Sequence, residues 1–467
     1  MRKLLLLAVL VLQACATPPP EPAPEPVAVP PPPPLVAVAP EPPKPAPPVK
    51  VEKTEKVPDV VVAKPPVKPA APKPPAEVGD LWERIRKGFK ITDLEGKLVK
   101  QKTAQYAASP EYLGRIIGRS RLYLYHIVGE IERRGLPTEL ALLPMVESAF
   151  NPMAYSRAHA SGLWQFIPGT GKRFELEQNS WYDGRRDIVD STNAALDYLT
   201  KLYEMHGDWH LALASYNWGE NAVKRAVNRN KAQRKKTDYA SLRMPKETRH
   251  YIPKLQALEN IIADPQAYGV DLDAIPDQPY FTAITDAPDI DVHLAARLAE
   301  MPVSEFIALN PGFSRPLIRA SAARRIILPA DKVAAFYDNL DDHDGGALVS
   351  WQVYVPKPGE KLEAIAKRFE ITVAELRRVN GIPNHSTRLP KEMVVPLNGD
   401  ARATLADLPL MYAPPIPSYG QARAVHTVRK GDTLSSIAKR YRVSVAALKG
   451  WNQNTKLLQI GQKIYIR

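Results

Sequence analysis

The sequence predicts a multidomain chain, with one mostly α-helical domain of nearly 200 residues followed by small modules that each read strand, helix, helix, strand. Three observations predict it. Between residues 79 and 270 apolar side chains recur at helical spacing and strand patterns are scarce. Beyond residue 350 two segments match at a constant offset of 72 residues, which signals a duplicated unit. Ahead of both, residues 16–78 are almost only Pro, Ala, Val, Glu and Lys and hold 24 of the 48 prolines, a composition that builds no packed core.

The bulk numbers set bounds. The chain has 467 residues, 45% of them hydrophobic and 24% charged, enough for several cores. A formal charge of +13 favours an anionic partner: a nucleic acid, an acidic lipid surface or an acidic cell-wall polymer. No stripe of basic residues interleaved with aromatics is present, so nucleic acid ranks last and is not expected as a partner. The single cysteine, Cys15, excludes an intramolecular disulfide and a cysteine-based metal site.

Met1-Arg2-Lys3 is a short positive start, and Leu4 to Leu12 is an apolar run too short to span a bilayer. This is a signal-peptide pattern, assigned to residues 1–15. It ends in Leu12-Gln13-Ala14-Cys15, which resembles a bacterial lipobox. That resemblance implies a lipid on Cys15 and a partner in the lipid bilayer. With Ala16 rather than aspartate next, it implies the outer membrane of a Gram-negative bacterium, facing the periplasm. Residues 16–78 then read as a disordered, extended spacer with a reach on the order of 200 Å at about 3.1 Å per residue.

In the helical domain, assigned to 79–270, helices are expected over Tyr112 to Arg134, from an N-cap at Thr138 to Ser148, and from a cap at Asp190 or Ser191 to about His206. Others are expected from a cap at Asp208 to about Asn217 and over Thr248 to Ile262. Glu147 closes the apolar run Leu140 to Val146. Apolar surroundings disfavour the charged form, and a glutamate kept neutral near pH 7 can act as a general acid. Three further islands follow: Ala160-Ser161-Gly162-Leu163-Trp164-Gln165-Phe166-Ile167-Pro168, Ala214-Ser215-Tyr216-Asn217-Trp218-Gly219 and Glu247-Thr248-Arg249-His250-Tyr251.

In order and spacing these four islands closely resemble the lytic transglycosylases of the soluble-lytic, goose-type-lysozyme-like superfamily. The resemblance implies a lysozyme-like catalytic domain with Glu147 as the single acid/base. It implies substrate-binding roles for Ser148, Ser156, Gly162, Gln165, Tyr216, Asn217 and Tyr251, with Gly162 letting backbone and sugar come close and Tyr251 facing Glu147 across the cleft. Trp164, Phe166 and Trp218 read equally as core. The implied reaction cuts the β-1,4 bond from N-acetylmuramic acid to N-acetylglucosamine in peptidoglycan and leaves a 1,6-anhydromuramoyl end. Most glycosidases need two carboxyls. Here no Asp or Glu occurs from Ser148 to Phe174, and Asp183 and Asp187, set among Arg185 and Arg186, read as an ion-pair network. No cofactor and no metal are expected. His206 and His210 are four apart, but Gly207 and Asp208 between them read as a helix end and a new cap.

The repeat pairs Gly359 with Gly431, Leu362 with Leu434, Ile365 with Ile437, Leu376 with Leu448, and Asn380 with Asn452. The second copy, Val428-Arg429-Lys430-Gly431-Asp432-Thr433-Leu434 with Ile460-Gly461-Gln462-Lys463, strongly resembles LysM modules, which bind N-acetylglucosamine-containing glycans. The resemblance places a sugar groove at Gly431, Asp432, Thr433, Asn454, Leu458, Ile460 and Gly461. The modules are assigned to 350–398 and 424–467, joined by a Pro-containing linker. The first departs at Glu360-Lys361 and Leu389-Pro390-Lys391. A degraded third copy, marked by Val292, Phe306 and Asn310, is assigned to 280–335 and read as structural. The expectation is therefore a monomeric, wall-targeted lytic transglycosylase acting on peptidoglycan glycan strands. A hydrolytic muramidase on the same fold and a non-catalytic wall-binding scaffold stand as alternatives.

Overall fold

The computed structural model describes residues 79–320, 325–343, 347–384, 386–399, 401, 424–429, 431–441, 443, 445, 448, 452 and 458–466. Cys15, the Pro-rich spacer, most of the 400–423 linker and Asn454 lie outside the described residues. Among the described residues no helix is long and apolar enough to cross a membrane.

The helical domain is built from α1 (Leu81–Lys87), α2 (Lys97–Ala107), α3 (Pro110–Ser120), α4 (Leu124–Arg133), α5 (Leu143–Glu147), α6 (Pro168–Arg173), α7 (Ile188–His206), α8 (Trp209–Trp218), α9 (Glu220–Ala232), α10 (Lys246–Arg249) and α11 (Tyr251–Ala263). Trp82, Leu124, Leu199, Leu213 and Leu258 lie in its core. Asp208 caps α8 as expected, accepting from the Leu211 amide at 2.8 Å.

Four helical expectations need correction, each for a local reason. The stretch Tyr112 to Arg134 is two helices, since the chain turns at 121–123 and buries Tyr123, whose hydroxyl donates to the Ala308 carbonyl at 3.0 Å. Thr138 is no cap: its hydroxyl donates to the Ile85 carbonyl at 2.6 Å. Thr138–Leu142 form a tighter 3₁₀ turn, and α5 starts afresh with Pro144 in its first turn, the place where a proline's missing N–H costs nothing. Helix α7 is capped by Asp187, not Asp190 or Ser191; Asp187 accepts from the Asp190 amide. The last long helix is broken at His250 into α10 and α11. Pro253 would set its ring against the carbonyl of residue 249 in a continuous helix.

Three modules follow, each closed by an antiparallel strand pair. In the first, β1 (Phe281–Ile284) pairs with β4 (Ile326–Pro329), around α12 (Val292–Leu298) and α13 (Val303–Leu309), and α14 (Val333–Asp341) follows. It carries an extra pair, β2 (Ile290–Asp291) with β3 (Leu317–Ile318). In the second, β5 (Trp351–Tyr354) pairs with β6 (Met393–Pro396), around α15 (Leu362–Arg368) and α16 (Val373–Val379). In the third, β7 (Ala424–Thr427) pairs with β8 (Lys463–Ile466), with α17 (Leu434–Tyr441) between them.

The repeated asparagine explains why the first two modules, diverged in sequence, keep one shape. Asn310 donates to the Ile327 carbonyl and accepts from its amide, both at 2.8 Å. Asn380 does the same to Val394, at 2.9 and 2.7 Å. Each amide side chain thus stands in for a strand neighbour and fixes the second helix to the closing strand.

One hydrophobic cluster runs from Leu81 through the first two modules to Ala401. Polar contacts reinforce it where helical domain and modules meet. Trp181 Nε1 donates to Glu392 Oε2 at 3.2 Å, and the Arg319 guanidinium lies 5.0 Å from the Trp181 ring and 3.5 Å from the same carboxylate. The third module has its own cluster, with Val428, Ile437, Leu448 and Ile464 at its centre.

Candidate active site

Glu147 is the last residue of α5, whose earlier residues Leu143, Pro144 and Met145 are buried. The helix cannot run on: Ala149 and Phe150 follow in the left-handed region, at φ 53° and 52°. Ser148 braces this end. Its hydroxyl lies 3.1 Å from the Pro144 carbonyl and 3.0 Å from that of Leu163, so it ties the α5 terminus to the second island. The Glu147 side chain is left half-buried at this helix end, facing Tyr251 at the start of α11.

Tyr251, at the start of α11, donates its hydroxyl to Glu147 Oε1. Burial pushes the Glu147 carboxyl up to about 7, against the opposing pull of the Tyr251 hydrogen bond and the Lys254 charge; the Glu247 charge adds to the rise. Burial also holds the Tyr251 and Tyr216 phenols well above their usual range, next to that carboxylate. Both therefore stay protonated donors. Tyr216 donates to the Trp164 carbonyl at 2.8 Å and packs against Phe166 and Tyr198. Asn217 accepts from the buried Thr248 hydroxyl at 2.8 Å, which links α8 to the short helix leading into Tyr251. The structure thus gathers Glu147, Tyr216, Asn217 and Tyr251 from islands about 70 and 100 residues apart.

The 151–166 loop is a frame made by its own polar groups. Ser156 Oγ accepts from the Ala158 and Ala160 amides, at 3.2 and 3.1 Å. Gln165, itself at φ 51°, donates to the carbonyls of Gly162 at 2.8 Å and Ala154 at 3.3 Å. Gly162 also has a reason within the chain. It sits at φ 85°, and a Cβ there would lie 2.0 Å from the Arg185 carbonyl oxygen. A close approach to this chain's own backbone therefore demands glycine here, apart from any contact with a sugar.

Arg185 anchors the same frame from beneath. Fully buried, it makes a bidentate pair with the buried Asp183 at 2.8 Å and donates to the carbonyls of His159 and Phe166. Asp187, besides capping α7, accepts from the Tyr182 hydroxyl. Trp164 is wholly buried and donates to Thr192 at 3.0 Å. His206 is hydrogen-bonded to Ser215 at 2.8 Å. Sequence reasoning missed Lys254 and named Glu247 only as part of its island, yet their opposed charges both act on Glu147. Lys254 stands one helical turn after Tyr251, and that i, i+3 spacing was the available signal.

In the last module Asp432 faces inward, accepting from the Arg429 amide and paired with His426, both at 2.8 Å. Thr433 and Ser436 exchange hydrogen bonds at the start of α17. Gly431 and Gly461 take the left-handed φ values, 90° and 86°, that their turns need. Leu458 packs on the local core, and Ile460 stands 72% exposed. In the second module Glu360 repeats the Asp432 pattern, accepting from the Lys357 amide at 2.9 Å and the Tyr354 hydroxyl at 2.7 Å. The departure from Asp to Glu therefore conserves the turn. A cavity of about 580 Å³ opens beside it, lined by Gly359, Lys361, Leu362, Arg377, Leu389 and Lys391 among others. In the first module the corresponding loops are stitched together by β2 and β3, by the Val292 amide to the Pro316 carbonyl at 2.8 Å and by the Ala320 amide to Asp289 at 2.6 Å.

A carboxyl raised to about 7 and bonded to Tyr251, in a helical domain chained to modules closed by strand pairs, fits a glycan-cleaving enzyme of the lytic transglycosylase class. Comparison with known proteins agrees. The Transglycosylase SLT domain family matches residues 127–239, the LysM domain family matches 354–390 and 426–467, and the family described as Lytic transglycosylase MltD, LysM-like domain, matches 281–345. Membrane-bound lytic murein transglycosylase D of Escherichia coli (strain K12) is 33% identical over 397 residues, covering 83% of this chain and 85% of that protein. An Alteromonas protein named for tributyltin chloride resistance is 51% identical over 117 residues, 24% of this chain and 56% of its own. Membrane-bound lytic murein transglycosylase C of Haemophilus influenzae (strain PittEE) is 31% identical over 143 residues, 28% of this chain and 40% of its own. The chain belongs to the family of membrane-bound lytic murein transglycosylase D, enzymes that join an SLT catalytic domain to LysM modules.

Proposed function

We propose that Glu147 is the single acid and base of a murein transglycosylase reaction. The observation that carries the reading is the Glu147 carboxyl held by the Tyr251 hydrogen bond and raised by burial to about 7. A group that must first give a proton and then take one works best with a pKa near the working pH. Glu147 protonates the glycosidic oxygen between N-acetylmuramic acid and N-acetylglucosamine, and the C1–O bond breaks with assistance from the substrate's own N-acetyl group. The ionised Glu147 then takes the proton of the muramoyl 6-hydroxyl as that oxygen closes onto C1. The product is a 1,6-anhydromuramoyl end, and no water is consumed. Tyr251 steadies the carboxylate formed midway and Lys254 adds charge stabilisation, while Tyr216, Asn217, Ser148, Ser156, Gly162 and Gln165 hold the cleft's shape around the sugar.

The second and third modules hold glycan strands, the second in its open cavity and the third around Gly431, Asp432, Thr433, Asn454, Leu458, Ile460 and Gly461. The first module, its loops stitched shut, serves as a structural joint. Lipidation at Cys15 places the enzyme at the outer membrane, facing the periplasm, with residues 16–78 as tether. Mass spectrometry of products from purified peptidoglycan tests the chemistry. Anhydro ends are expected from the wild type and none from Glu147→Gln, which still sediments with the polymer. Reducing ends made with water would instead mark a hydrolytic muramidase.

A further inference from the structure

The charge of this chain is gathered in one place. Residues 224–254 hold eleven Lys and Arg against two Asp and Glu, a net +9 of the chain's +13. They cover the solvent side of α9, the turn after it and α10. Arg229, Lys231, Arg234, Lys235, Lys236 and Arg243 are all exposed. Among the described residues, none of the eleven is ion-paired, whereas arginines elsewhere in the helical domain, at 84, 134 and 173, each meet a carboxylate. An unpaired cationic cluster repels itself, so the fold holds it against a cost.

The holding is specific. Val223 and Ala226 fix the inner face of α9 in the core. The buried Asn230 donates to the carbonyls of Lys236 at 2.7 Å and Ser241 at 3.1 Å, drawing the basic turn into a closed loop. Asp238, one of the two acids, is turned onto the Ser241 amide and hydroxyl. Arg234 takes φ 53°, a conformation glycine would adopt more cheaply, yet an arginine stands there. The cluster also runs into the cleft. Tyr239, inside the loop, donates to the Thr248 carbonyl at 2.8 Å, Thr248 donates to Asn217, and Lys254 at the far end of the segment acts on Glu147.

We infer that this face is an exosite for the acidic peptide stems borne by the glycan strand being cut. The inference rests on the murein reading above. Charge complementarity and continuity with the cleft both select that occupant: the carboxylates hang from the same polymer whose sugars enter beside Tyr251. The contact is side chain to carboxylate at an exposed surface, so it favours association and falls with salt.

The test uses the full-length protein and its quadruple variant Arg229→Gln/Lys231→Gln/Arg234→Gln/Lys235→Gln. Two soluble substrates are compared at 50 mM NaCl: glycan strands with their stems, and the same strands stripped of peptide by an amidase. The variant's KM on stem-bearing strands is expected to rise about tenfold, with KM on stripped strands changed less than twofold. For the wild type alone, raising NaCl to 300 mM should erase most of its preference for stem-bearing strands, which keeps the test open if the variant folds poorly. An unchanged KM ratio in the variant, or a salt-independent preference in the wild type, overturns the inference. So does loss of binding to phosphatidylglycerol vesicles with the KM ratio intact, which would assign the face to a membrane. Absence of anhydro products from both substrates would instead sink the transglycosylase reading, and co-sedimentation then decides the contact: equal retention on stem-bearing and stripped strands overturns it.

Discussion

Glu147 should cost the protein stability in the same measure that it serves the reaction. Its carboxyl is raised from 4.5 to about 7, chiefly by burial. Below pH 4.5 the group is protonated in both folded and unfolded chains and contributes nothing. Between pH 4.5 and 7 the unfolded chain gives up the proton while the folded chain keeps it, so unfolding gains. Above pH 7 the penalty is complete. At about 1.4 kcal/mol per pH unit the interval is worth about 3 kcal/mol. The side chain is partly open to solvent, and a discount for screening leaves about 2 kcal/mol. Glu147→Gln removes the charge but keeps an acceptor for Tyr251. The variant should match the wild type near pH 4 and become progressively more stable above it, by about 2 kcal/mol at pH 8. In calorimetry that is a rise of about 3 °C in the Tm of the transition that unfolds the shared core, in a protein that no longer releases anhydro-sugars. A variant whose Tm advantage is the same at pH 4 and pH 8 would refute the reasoning, because the carboxyl would then not be held neutral by its surroundings.

Four further outcomes follow from the same geometry. Tyr251→Phe removes the hydrogen bond that pulls the Glu147 pKa down, so the limb of the pH–rate profile that reports this group should move to higher pH, with kcat reduced about tenfold. Gly162→Ala sets a Cβ against the Arg185 carbonyl in a left-handed backbone, and should cost more than about 3 kcal/mol in urea denaturation or prevent soluble expression. Asp183→Asn leaves the buried Arg185 without its counter-charge and should cost about 3–5 kcal/mol, measured the same way. Removing residues 402–467 should weaken retention on insoluble peptidoglycan several-fold in a pull-down while cleavage of short soluble strands stays within twofold. A deletion starting at 345 would not test this cleanly, because it also strips Trp181 and Arg315 of Glu392 and Asn380.

What the sequence made legible follows the range of the forces involved. Glu147 stood out because its apolar run is contiguous, and Asp208 because a cap acts within three residues. The module repeat was readable because its copies keep an asparagine at one place, and in the first two modules that residue bridges the second helix to the closing strand. The breaks at Pro144 and Pro253 were misjudged, since apolar periodicity carries across a proline that the backbone does not. The reason for Gly162 was out of reach, because its clashing neighbour is a carbonyl 23 residues away, and carbonyls leave no mark in sequence. Equally hidden was the meeting of Trp181, Arg319 and Glu392, three ordinary polar or aromatic positions made into one contact only by tertiary packing.

The shared core from Leu81 to Ala401 has a consequence for how such a chain can change over generations. A substitution that loosens the second module, at Leu376 or Val394 for instance, draws on the same stability reserve that keeps Glu147 in place, so its effect reaches the acid without touching it. The last module, with a core of its own, carries no such debt to the cleft. It is the part that can be altered while the residues packed around Glu147 keep their own core.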